Sequence, residues 1–188
     1  RFHAADGPHV AEILSSDGPC KTVRLQMKDV SSYERYESLT GVTVPSDGCF
    51  LDTGTRHYVR IVEGLEEYDV VGEGRDIRYN AAELQPVGAN VNFIEPSGNV
   101  LKVRTYEKGV EDETFACGTG IVASCIAAYK AGIIPSEAMA DGRVRYDVKA
   151  KRDSLSVHFR PLVGTAGVAE EVCLTGPAAF VAEVSVAL

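Results

Sequence analysis

Short strand-like apolar runs recur along this chain, broken by turn residues, and one long apolar block stands apart from them. Val10 to Leu14 and Thr22 to Met27 read as two strands joined by the turn Ser15-Ser16-Asp17-Gly18-Pro19. The polar, Tyr-rich stretch from Asp29 to Gly48 is expected to be a linker, Tyr58 to Val62 a strand, and the acidic Leu65 to Glu73 a turn or short helix. Asn90 to Glu95 and Val100 to Tyr106 flank Pro96-Ser97-Gly98-Asn99 and predict a hairpin. A turn centred on residues 97–99 sets Asn90 opposite Tyr106, to within one residue, and beside Glu107 and Lys108. Further strands are expected at Val144 to Ala150, Leu155 to Phe159, Val168 to Leu174 and Phe180 to Val186.

The apolar block, Gly118 to Lys130, carries small and apolar side chains around most of its circumference, as in a helix buried on nearly all sides. Lys130 suits its last turn, Gly132 its C-terminal stop, and Pro135 prevents continuation. Many short strands around one such helix predict an α+β chain: a curled, mainly antiparallel sheet wrapped around a central helix, not a doubly wound one.

Composition narrows the function. Apolar residues make up 45% and charged residues 24% of 188 residues, enough for a core of ordinary size. The net charge of −8 and the lack of a Lys/Arg cluster argue against nucleic acid and anionic lipid as partners. No run approaches the roughly 18 apolar residues of a membrane span. Five cysteines (20, 49, 117, 125, 173) without CxxC spacing suggest free thiols in a reducing compartment and no zinc site. Arg1-Phe2-His3-Ala4-Ala5-Asp6-Gly7 resembles neither a signal peptide nor a translation start.

The candidate chemistry centres on Glu113-Thr114-Phe115-Ala116-Cys117-Gly118-Thr119-Gly120, which enters the helix through glycines. A helix start leaves about four backbone N–H groups unpaired and carries partial positive charge. That field is expected to lower the pKa of Cys117, and the N–H groups of Gly118 and Thr119 to cradle a carboxylate. Glycines at 118 and 120 would let that ligand approach the backbone. Taken alone, the segment also fits a buried structural cysteine, and the hairpin end fits solvated strand-end residues.

Thr105-Tyr106-Glu107-Lys108-Gly109 followed by the Cys117 segment resembles the second catalytic motif of the diaminopimelate epimerase family. Asn90-Val91-Asn92-Phe93 is similar to that family's substrate-binding strand, and Asp52-Thr53-Gly54-Thr55-Arg56-His57 to its Gly-Asn-Pro-His segment. The resemblance implies one of two pseudo-symmetric domains and epimerisation of L,L- to meso-diaminopimelate without pyridoxal phosphate or another cofactor. That reaction would serve lysine and peptidoglycan precursor synthesis in the cytoplasm. A thiolate removes the α-proton from one face while a thiol returns one from the other. By this resemblance Cys117 is one of the two thiols, and Gly118 and Thr119 bind the α-carboxylate. Asn90 and Glu107 hold the far end or ammonium groups, and His57 and Glu107 tune the thiol.

Lys108 stands where the family has Arg, and Thr55 and Arg56 stand where it has Asn and Pro. Lys108 and Thr55 are taken as the substrate-binding groups in those places. The family's other catalytic Cys has no counterpart here. Cys125 lies eight residues further along the same helix, a rise of about 12 Å, on the wrong side for inversion. The sequence is therefore expected to be a fragment, inactive alone. Residues 1–28 are read as N-terminal-domain strands, 29–176 as the catalytic C-terminal domain, and 177–188 as a strand returning to the first domain. The expected partner is a small amino-acid substrate, with homodimerisation open. A proline or hydroxyproline racemase and a non-catalytic domain of the same fold are the alternatives.

Overall fold

The hairpin predicted around residue 98 turns on Gly98-Asn99, with Gly98 at φ 63° and Ser97 paired with Val100. A two-residue loop fixes the register, so Val91 faces Tyr106. This register lies one residue from the pairing of Asn90 with Tyr106, within the expected range. Asn90 and Glu107 stand together at the open end.

The computed structural model describes all residues except 5, 6, 17, 19, 164–166 and 186–188. In chain order the elements are β1 (Phe2–Ala4), β2 (Gly7–His9), β3 (Ala11–Ser15), β4 (Cys20–Gln26), β5 (Tyr33–Tyr36), β6 (Gly48–Asp52) and β7 (Arg56–Ile61). Then follow α1 (Val70–Asn80), β8 (Asn90–Ser97), β9 (Val100–Glu107), β10 (Asp112–Thr114), α2 (Gly118–Ala131) and β11 (Glu137–Ala138). The last are β12 (Val144–Lys149), β13 (Ser154–Pro161) and β14 (Ala169–Ala179). Among the described residues, β1 and β2 pair with each other. The rest form one sheet in the order β3-β4-β14-β13-β12-β9-β8-β7-β6-β5, with β10 beside β9 and β11 beside β12.

The pairs β7–β8 and β9–β12 are parallel, and the other described pairs are antiparallel. The chain is thus α+β with a mainly antiparallel sheet. The curl around a single helix is corrected: the strand path is open, with β3 and β5 at its two ends. The two parallel pairs also account for a second helix, α1, beside α2. Parallel neighbours need a long crossover, and each crossover here carries a helix.

Those helices lie on opposite faces of the central strands, because successive strand residues point opposite ways. Val91, Phe93 and Tyr106 join the apolar cluster that contains Val70 and Ile77 of α1. Ile94, Leu101 and Val103 join the larger cluster that contains Ile121 to Ala128 of α2. Gly74 allows the close approach on the first face, since a Cβ there would lie 2.4 Å from Cβ of Tyr106. Residues 120–128 of α2 are buried throughout, as its uniform apolarity requires. It ends where expected, with Gly132 in the left-handed region at φ 64° and donating to the carbonyls of Ala128 and Tyr129.

Three other expectations change. Asp29 to Gly48 is not a linker: β5 within it pairs with β6, Leu39 and Ser46 are buried, and the buried Val30 bridges to Ala169. Helix α1 runs past Glu73 to Asn80, started by Asp69, whose carboxylate accepts from Gly72 N–H at 2.8 Å. Residues 180–185 form no strand, and Val186 lies outside the described residues, as do Asp17 and Pro19 of the first predicted turn. No described helix is long and apolar enough to cross a membrane.

Candidate active site

Cys117 is the N-cap of α2, in extended conformation with φ −115°, and its carbonyl accepts the first helical bond from Ile121 N–H at 2.8 Å. The loop ahead of it is held by β10, where Glu113 receives Arg104 Nε at 2.7 Å, Arg104 Nη2 at 2.9 Å and Lys151 Nζ at 2.7 Å. Arg104 directly precedes Thr105-Tyr106-Glu107-Lys108-Gly109, whereas Lys151 lies far from that motif in the chain, and residue spacing pairs neither with Glu113.

The thiol is buried, and burial pushes its pKa up. The Thr119 hydroxyl and the N–H groups of Gly120 and Thr119 oppose the rise, while the Glu107 carboxylate adds to it. The expected downward shift is therefore corrected. The helix end acts on Cys117 as predicted, but desolvation is larger. Thr119 Oγ1 lies 3.6 Å from Sγ.

The role expected of Gly120 also changes. A Cβ there would sit 2.4 Å from Asn92 Oδ1 and 3.3 Å from Cys117 Sγ, so the glycine admits protein atoms, not a ligand. At Gly118 a Cβ would meet only the Leu174 side-chain end, at 3.1 Å.

Cys117, Asn90, Glu107, Lys108, Thr55 and Thr119 line one open cleft of about 360 Å³, joined by Asp52, Gly54, Arg56 and Val87. Among the described residues no hydrogen bond engages the Glu107 carboxylate. Asn90 is committed to the protein: its Nδ2 donates to Arg56 O at 3.0 Å, and its Oδ1 accepts from Lys108 N–H at 2.9 Å. It ties β7, β8 and the loop after β9 together at the cleft.

His57 is not on the cleft surface but fully buried below it. Its Nε2 lies 2.9 Å from Thr55 Oγ1 and 3.0 Å from Thr119 Oγ1, and its Nδ1 lies 3.1 Å from Asn92 Nδ2. Burial pushes its pKa down to about 3, so the ring is neutral at physiological pH. Thr55 donates to Thr119 Oγ1 at 2.9 Å, and Thr53 donates to Thr119 O at 3.2 Å. Asn92 is the site residue that sequence reasoning passed over, although it lies in the quoted strand motif. Its alternation with Val91 and Phe93 was the available signal, since it places this amide on the α2 face.

The remaining cysteines lie elsewhere. Cys125 is fully buried within α2. Cys49 belongs to β6, and burial, partly offset by a hydrogen bond from Tyr33, pushes its thiol up to about 12. Cys173 is half-buried and Cys20 exposed; all five are free thiols. Among the described residues no group of three or more His, Cys, Asp or Glu is placed to hold a metal ion.

The diaminopimelate epimerase family model matches residues 49–160. Two relatives named diaminopimelate epimerase align over most of the chain. That of Chlorobaculum tepidum is 37% identical over 180 residues, covering 95% of this chain and 62% of its own length. That of Flavobacterium psychrophilum is 34% identical over 186 residues, covering 98% and 63%. The Aquifex aeolicus enzyme of the same name is 41% identical over 135 residues, covering 71% and 47%. The chain thus spans about half to three fifths of the length of these relatives.

Solved structures share the fold at low identity. A probable proline racemase from Agrobacterium radiobacter, with bound carbonate, superposes with TM-score 0.64 at 16% identity, covering 97% of this chain and 59% of that one. A hydroxyproline epimerase from Agrobacterium vitis, with bound trans-4-hydroxy-L-proline, gives 0.57 at 15%, covering 94% and 56%. With the family match running from β6 to β13, over the Cys117 helix and the strands that face it, this chain belongs to the diaminopimelate epimerase family.

Proposed function

We propose that the complete protein interconverts L,L- and meso-diaminopimelate by exchange of the α-proton between two thiols, and that this chain supplies one of them, Cys117. The observation that carries the reading is the position of Cys117. It sits at a helix N-terminus, on a cleft shared with Glu107, Lys108 and Thr119.

In the proposed step, a thiolate on one face takes the α-proton and becomes a thiol, leaving its electron pair on the α-carbon. A thiol on the opposite face gives its proton to that carbon and becomes a thiolate, so atoms and charge balance and only configuration changes. Inversion needs two faces, because one side chain cannot reach both. The raised pKa of Cys117 suits it to the proton-giving role in the resting protein. Helix N–H groups beside it stabilise the carboxylate as charge develops. The step needs no pyridoxal phosphate, and this chain alone is proposed to be inactive. The five free cysteines fit a reducing cytoplasm.

Lys108 favours a second reading, a sibling racemase on the same fold. An ammonium cannot repeat the two-pronged carboxylate contact of the guanidinium it replaces. The test is solvent-deuterium exchange at the α-carbon by the complete protein, offered diaminopimelate, proline and hydroxyproline separately. Exchange with diaminopimelate, abolished by Cys117→Ala, is the expected result. Exchange retained in that variant overturns the thiol role, and exchange with a cyclic imino acid alone selects the second reading.

A further inference from the structure

Asn92 lies fully buried between β7 and β9, and its three hydrogen bonds leave no freedom in the orientation of its amide. Nδ2 is 3.1 Å from the backbone carbonyl of Tyr58, which can only accept. Oδ1 receives the Thr105 hydroxyl at 2.9 Å. The end of the amide that faces His57 Nδ1 at 3.1 Å is therefore an N–H donor. A neutral imidazole met at Nδ1 by a donor carries its own hydrogen on Nε2.

The consequence runs outward to the thiol. With hydrogen on Nε2, His57 donates to the hydroxyls of Thr55 and Thr119 and accepts from neither. The Thr55 hydrogen goes to Thr119 Oγ1. The Thr119 oxygen is then supplied with donors from both sides, and its own hydrogen is left for Cys117 Sγ, 3.6 Å away. The opposite tautomer would reverse this: with the Thr55 hydrogen committed to Thr119 Oγ1, a bare Nε2 would draw the Thr119 hydrogen inward and away from sulfur.

We propose that Asn92 is a positioning residue for Cys117: it locks His57 in the Nε2–H form, so that the Thr119 hydroxyl donates to the sulfur. The lock favours the thiolate each time Cys117 has given up its proton, partly offsetting burial and the Glu107 charge. Gly120 belongs to the same device, because any side chain there would strike Asn92 Oδ1. The proposal rests on Cys117 exchanging protons, but it is read out without turnover, so the two can fail separately.

The test uses the complete protein, uniformly labelled with nitrogen-15. Long-range proton–nitrogen correlation spectra of the unmodified protein are expected to show His57 protonated at Nε2 and bare at Nδ1. A proton on Nδ1 overturns the proposal without any variant being made. Asn92→Asp replaces the donor with an acceptor and is expected to move the proton to Nδ1. Iodoacetamide labelling at pH 7.5, resolved at Cys117 by peptide mass spectrometry, should then slow about tenfold, the effect of one pKa unit on thiolate fraction. In the Thr119→Val background the same Asn92→Asp change should have little further effect on that rate. An undiminished effect would mean that the carboxylate acts through space and not through the hydroxyl, and would also overturn the proposal.

Discussion

Arg104 and Glu113 join β9 to β10 through a two-pronged ion pair, Nε to Oε1 at 2.7 Å and Nη2 to Oε2 at 2.9 Å. Nη1 of the same arginine donates to the carbonyls of Leu65, Glu66 and Tyr68 at 2.7, 2.9 and 3.2 Å. One guanidinium thus fastens the loop before α1 to the strand that delivers Cys117. Lysine cannot reproduce this fork. Arg104→Lys is expected to cost about 2–3 kcal/mol, seen as a lower urea midpoint at unchanged slope. An unchanged midpoint would show that the fork contributes nothing.

The same pair gives a signature in acid. Arg104 and Lys151 hold the Glu113 carboxyl below its usual range. The stabilisation is present above the unfolded pKa of about 4.3 and is lost as pH falls through the folded value. Glu113→Gln is expected to lower stability at neutral pH and to flatten the decline below about pH 4.3. Urea midpoints measured from pH 7 to 3 check both effects.

His57 acts in a different pH window. Its folded pKa is pushed down to about 3 by burial. Above the unfolded pKa of about 6.5 the ring is neutral in both states and costs nothing. As pH falls from 6.5 towards 3 the unfolded chain gains a proton that the folded chain refuses, so stability drops by at most about 1.4 kcal/mol per unit. His57→Gln should remove this slope between pH 6 and 4.5, leaving the smaller contribution of His158, which burial and nearby arginines shift the same way. An identical slope in the variant would mean that His57 is already charged in the folded protein.

Gly120→Ala is expected to cost about 1–3 kcal/mol through overpacking against Asn92, whereas Gly118→Ala, facing only a movable leucine methyl, should cost less. Thermal unfolding of the two variants side by side tests the order, and the reverse order would contradict the packing at the start of α2.

The local features were legible in the sequence. The limits of α2, the Gly132 stop, the 98–99 hairpin and the cysteine at a helix start all follow from residue types at fixed spacing, because they depend on a few neighbouring backbone groups. Helix α1 was underread because two glycines dilute its pattern, and Gly74 is there for its approach to Tyr106.

The tertiary structure decided what depends on residues distant in sequence. It placed His57 beneath the cleft, within reach of Thr119, and turned Asn92 toward the ring. It also reversed the direction of the Cys117 shift. A helix-end field can be inferred from local sequence, but desolvation depends on every strand and helix packed around the sulfur, and only the assembled sheet sets it.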